Sequence, residues 1–131
     1  MPERPLLTLW FIHIQALCHC LTCRRTSASA YTVNLMVPRD HFKLVAGKPK
    51  AFSTVHENGM NLTTYFCDNC SSRLYKEADA AEFQGVVLIQ AGTLTDLAGL
   101  DDAQPEAELW VKYRARWSPT VKNAMQLQQF A

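Results

Sequence analysis

Apolar and polar positions alternate along this chain over short stretches broken by turn residues, a pattern that predicts strands rather than long helices. Residues 31–37 (Tyr-Thr-Val-Asn-Leu-Met-Val) are rich in β-branched and aromatic side chains and stop at Pro38, so they predict a strand. A second run, 42–46, ends at Gly47-Lys-Pro49. A third, 51–55, leads into Asn58-Gly59, a pair suited to a hairpin whose return strand is 62–66. Residues 86–91 (Val-Val-Leu-Ile-Gln-Ala) are almost continuously apolar and predict a central strand closed by Gly92. The acidic stretch 96–108, with Gly99 and Pro105, predicts a surface loop, after which 109–113 resumes strand character. Ser118-Pro119 offers a cap followed by a first-position proline, and Val121, Ala124, Met125 and Phe130 fall on one helical face. The expected class is mostly β, with a short C-terminal helix over 119–131.

A length of 131 residues suits one domain, and a hydrophobic content of 48% is ordinary for a globular chain. The 13 Lys and Arg against 12 Asp and Glu give a net charge of +1, which provides no basic footprint for nucleic acid as the main partner. Residues 6–17 are the one candidate for a membrane or targeting segment, but the run is about 12 residues long and carries His13 and Gln15, where a membrane helix needs about 20 apolar residues. A signal peptide would want a positive start and a small-residue cleavage site, so a buried strand is the expected reading and no membrane is implied.

Cysteine usage changes the picture. Five cysteines fall in two tight clusters, Cys18-His-Cys20-Leu-Thr-Cys23 and Cys67-Asp-Asn-Cys70. Pairs one or two residues apart are poorly placed to bridge each other, and an odd number would leave one unpaired, so reduced thiols and a cytoplasmic location are expected. Thiolates at this spacing can turn onto one metal ion, and zinc is the first candidate. A redox Cys-x-x-Cys of thioredoxin type would start a helix in a βαβ unit, whereas Cys67 and Cys70 lie between predicted strands. Scattered core or surface thiols are the remaining alternative, although Asp68, Asn69 and Ser71 around the second pair suggest an exposed turn.

Together with Arg24-Arg-Thr-Ser-Ala-Ser29, Phe66, Ser71-Ser-Arg-Leu74, Gly92-Thr-Leu-Thr-Asp96, Glu108-Leu-Trp110 and Arg116-Trp117, these clusters resemble the glutathione-dependent formaldehyde-activating enzyme family, which also includes centromere protein V. The resemblance spans nearly everything from Cys18 to Trp117. It implies a zinc-bearing β structure of the type called a β-tent, with residues 18–118 as the zinc-binding domain, 1–17 as an atypical N-terminal segment and 119–131 as the terminal helix. It implies two zinc sites. Cys18, Cys20 and Cys23 correspond to a three-thiolate site with an open coordination position, as a catalytic zinc requires. Cys67 and Cys70 correspond to half of a closed four-cysteine site completed by an earlier Cys-x-Cys in the family's first strand. No cysteine precedes Cys18 here. The preferred expectation is a chain truncated at its start; substitution by His13 or another side chain, and one zinc shared by all five cysteines, stay open. Ala28 and Ser71 stand where the family usually has glycine, at turns glycine would enter with positive φ.

The resemblance implies carbon–sulfur lyase chemistry on adducts of a thiol such as glutathione with an aldehyde, in a biosynthetic or detoxification pathway. The alternative is a non-catalytic zinc module that binds protein or chromatin. Arg24 and Arg25 are candidates to bind a substrate carboxylate, against a plain reading as a solvated pair. His19 is a candidate acid, base or fourth ligand, against a local hydrogen-bonding role. His41 and His56 are expected in exposed turns. Trp110 and Trp117 are expected in the core or a pocket wall, and Asp101, Asp102, Glu106 and Glu108 on a solvated acidic loop.

Overall fold

The computed structural model describes residues 14–131 of the chain. Its strands are β1 (Ile14–Cys18), β2 (Thr32–Pro38), β3 (Lys50–Val55), β4 (Asn61–Phe66), β5 (Arg73–Ala78), β6 (Val86–Gln90), β7 (Ala107–Leu109) and β8 (Met125–Gln126). They form one sheet in the order β3-β4-β5-β6-β2-β1-β7-β8. Two short helices, α1 (Leu21–Ser27) and α2 (Leu97–Asp102), complete the main elements. The fold is mostly β, as the alternation predicts.

Strand β2 shows how the sequence sets the layers. Successive side chains point to opposite faces. Leu35 and Val37 therefore join Ala91 and Ala103 in one core cluster, supported by Val33, Ile89 and Leu94. Asn34 and Met36 face the other way and line a cavity. Register carries this choice across the sheet: Leu35 lies opposite Ile89, Met36 opposite Leu88 and Asn34 opposite Ala16. Ala16 and Cys18 of β1, Leu62 of β4, Lys76 of β5 and Leu88 of β6 consequently line the same cavity as Asn34 and Met36. Leu35, Val37 and Val87 are fully buried, and each contributes about 1.5–3 kcal/mol by leaving water.

Four sequence expectations change. Residues 42–46 form no strand, and Leu44 and Val45 are exposed beyond the partnered region. The loop expected over 96–108 contains α2, capped by Asp96 whose carboxylate accepts the Gly99 N–H at 2.7 Å, and its end already belongs to β7. The strand expected over 109–113 is a 3₁₀ turn, Val111–Tyr113, entered through Trp110 at φ 57°.

The expected C-terminal helix is absent. Its backbone groups are spent on β7 instead: Met125 N–H donates to Glu106, Leu127 N–H to Glu108, and the Trp110 and Val111 N–H groups donate to Gln129 and Leu127. The Glu108 carboxylate also takes the Val121 N–H, and Asn123 sits at φ 68°, which a helix does not admit. The helical spacing of Val121, Ala124, Met125 and Phe130 was outcompeted by sheet pairing, and Met125 is 61% exposed. Strand β5 went unpredicted.

Candidate metal centre

The first cysteine cluster sits where β1 hands over to α1. Cys18 ends β1, Cys20 caps α1 with its Sγ accepting the Cys23 N–H at 3.3 Å, and Cys23 lies in the first helical turn. Strand, cap and helix thereby turn three thiols inward. Their sulfur atoms lie within 4.8 Å of one another, all buried, and form the only such group of three among the described residues. Trp110 packs against them, with Leu109, Tyr113 and Phe130 around it.

A cation faces the cluster. Lys76, 3% exposed, donates from Nζ to Cys23 Sγ at 3.4 Å. Hydrogen bonds from Cys18 and Cys20, then Lys76, hold the Cys23 thiol well below its ordinary value despite burial. Cys18 is raised well above its ordinary value by its hydrogen bonds to Cys20 and Cys23 and by burial. Cys20 is pulled down by Cys18 but pushed up more strongly by Cys23 and burial, to about 12. Burial would discharge Lys76, yet the surrounding sulfurs raise its value and keep it an ammonium. Cys23, the thiol shifted toward ionisation, thus has Lys76 beside it as a counter-cation. Three convergent sulfurs with a compensating charge fit a thiophilic metal ion, which would hold all three as thiolates.

The cluster opens on a small cavity of about 30 Å³, lined by all three cysteines, Lys76, His56, Asn34 and apolar side chains including Met36, Met60, Phe83 and Phe130. Asn34 is fully engaged with Ala16, Thr32 and Gln90.

His19 does not line this cavity. Its Nε2 meets Glu108 Oε1 at 2.7 Å, and both side chains are fully buried. Glu108 also accepts from Val121 N–H and Gln126 Nε2, with Arg114 Nε at 3.4 Å, so it ties the cysteine loop to β8 and the terminal segment. The solvated acidic reading is corrected for Glu108. Arg24 and Arg25 are exposed toward the C-terminal end of α1, and Trp117 is 76% exposed while Trp110 is buried.

Cys67 and Cys70 form a separate turn between β4 and β5. Cys67 Sγ accepts the Asn69 N–H at 3.4 Å, and Cys70, exposed, lies 3.1 Å from the Ser72 hydroxyl, which lowers its thiol below the ordinary value. The pair does not join the first cluster, so one ion shared by five cysteines is not what this geometry offers. His13 lies outside the described residues.

The sequence profile of the family described as glutathione-dependent formaldehyde-activating enzyme matches residues 11–113. The chain belongs to that family. Comparison with curated proteins returns no match. Within this family member, the matched region contains both cysteine clusters, Lys76 and Glu108, and stops before β8.

Two polar residues escaped the sequence reading. Lys76 sits among Tyr75, Glu77 and Ala78, where a charge reads as solvent-facing, and His56 sits in what reads as an exposed turn but is 2% exposed. A lysine on β5, with β6 and β2 between it and the strand that leads into the cysteine loop, gives no local signal of its partner.

Proposed function

We propose that this protein is a zinc-dependent carbon–sulfur lyase acting reversibly on adducts of a thiol, such as glutathione, with an aldehyde. The observation that carries this reading is the cluster of three buried thiols, within 4.8 Å of one another, at the wall of a cavity. Cys18, Cys20 and Cys23 would hold the ion, and zinc bound there supplies Lewis acidity that lowers a thiol pKa or polarises a carbonyl.

The chain's own residues do the rest. Lys76 offsets part of the thiolate charge, so an incoming thiolate meets less repulsion. The apolar walls exclude water and hold thiol and aldehyde together, which converts an encounter of two solutes into a local addition. Arg24 or Arg25, exposed on the helix that carries Cys23, would take a carboxylate of the thiol substrate. His19, bonded to Glu108, holds the cysteine loop in place. Cys67 and Cys70 are proposed as ligands of a second ion.

The test is adduct formation and release, followed by NMR with glutathione and a panel of aldehydes beginning with formaldehyde. Metal-loaded protein should turn over and chelator-stripped protein should not. Bound zinc without turnover across the panel would replace this reading with the binding module.

A further inference from the structure

The cavity beside the cysteines is closed from beyond the family region. Among the described residues that line it, Phe130 alone lies outside residues 11–113, while the rest of the wall, including Met36, Met60 and Phe83, lies within them. Backbone pairing delivers this side chain. The Val111 N–H donates to the Leu127 carbonyl at 3.0 Å and the Trp110 N–H to the Gln129 carbonyl at 3.2 Å, which sets the next residue down against the cysteine cluster. Three rings then fix the orientation of Phe130. It meets Phe83 edge-on at 5.2 Å and Trp110 edge-on at 5.5 Å, with the tilted ring of His56 at 5.2 Å. Edge contacts at these separations are favourable, so the ring does not swing aside freely. The space that it leaves is small. The cavity measures about 30 Å³. A water-sized group takes up about 10–15 Å³ of such space, which leaves room for about two of them.

We propose that Phe130 is the specificity-determining residue of this site: its ring stops the cavity and limits a ligand to about two carbons beyond the atom held at Cys18, Cys20 and Cys23. This rests on the thiol–aldehyde reading of the site and extends it from the reaction to the size of the substrate. A longer chain or a ring on the ligand would overlap the Phe130 side chain. Trimming that side chain leaves an apolar space beside the sulfurs, and such a space stays dry and takes an apolar guest of matching size. A phenyl group carried by the ligand then occupies the place of the one deleted from the protein. The preferred substrates of the wild type are therefore short, unbranched aldehydes, and those of Phe130→Ala include aryl-substituted ones.

Calorimetry of the purified protein with ethanethiol and with phenylmethanethiol tests this without turnover, metal content being recorded for each sample. Wild type should bind ethanethiol about tenfold more tightly or better, although phenylmethanethiol has the larger apolar surface. Phe130→Ala should move the affinity ratio by about tenfold or more toward phenylmethanethiol, and Phe130→Leu should move it part of the way. Ile89→Ala, in the core on the opposite face of the sheet, controls for general loosening and should keep the wild-type ratio. Thermal midpoints report whether each variant has folded; should Phe130→Ala fail to fold, Phe130→Leu and the wild type decide. In wild type alone, the Phe130 ring proton resonances should move when ethanethiol binds. Wild type preferring phenylmethanethiol or binding neither thiol, a Phe130 ring unmoved by ethanethiol, a Phe130 variant keeping the wild-type ratio, or Ile89→Ala shifting it as far would overturn the assignment. Lack of turnover with every aldehyde would sink the lyase reading without altering this ratio. Turnover with an unshifted ratio would sink the role of Phe130 alone.

Discussion

Ala28 and Ser71 sit at φ 54° and 67°, in the left-handed region that a side chain with a Cβ enters at a cost. Ala28 closes α1, its N–H donating to the carbonyls of Arg24 and Arg25, and Ser71 closes the Cys67–Cys70 turn. Ala28→Gly and Ser71→Gly should each stabilise the protein by about 0.5–1 kcal/mol, read from urea midpoints, since relief of strain exceeds the added freedom of the unfolded chain. Glu108 makes a pH-dependent contribution. Burial alone would raise its carboxyl, but Gln126, the Val121 N–H, His19 and Arg114 outweigh it and hold the value at about 2, below the ordinary 4.5. The folded value is depressed, so the stabilisation is present above pH 4.5 and is lost as pH falls toward 2. Its size is on the order of 3 kcal/mol. Glu108→Gln should therefore be less stable than wild type at pH 7 and nearly equal to it near pH 2, measured by denaturant unfolding at both.

At the level of elements, β2, β4 and β6 were legible because alternation or a long apolar run marks a buried face, and β3, itself mostly exposed, because the Asn58-Gly59 turn pairs it with β4. Strand β5 was not, because the residue that points inward is Lys76: a charge sits where the period-2 pattern calls for an apolar side chain, and its counterpart is a sulfur 53 positions away. The C-terminal segment misled in the opposite sense. Its helical spacing is real, but β7 offers backbone partners and Glu108 captures Val121 and Gln126, contacts that no local pattern reveals. Phe130 is where this segment meets the core, packing against Trp110, His56 and Phe83. Phe130→Ala should cost about 2–3 kcal/mol in thermal or urea unfolding, and metal content should be unchanged because no ligand is lost.

For the whole molecule, the cysteine spacing announced the candidate metal site, while the charge balance around it became visible only in three dimensions. Cys18 and Cys20 are shifted toward the thiol form and Cys23 toward the thiolate beside Lys76, so metal uptake at pH 7, which needs all three as thiolates, should release protons, detectable with a pH indicator in weak buffer. An ion held by Cys18, Cys20 and Cys23 would clamp β1 to α1, so chelation should lower the thermal midpoint. Metal content per chain, determined by elemental analysis of purified wild type, Cys20→Ser and Cys67→Ser, tests the account most directly. At least one zinc per wild-type chain is expected, with the cavity-site ion missing from Cys20→Ser and retained by Cys67→Ser. Wild type without zinc, or Cys20→Ser with an undiminished content, would contradict it.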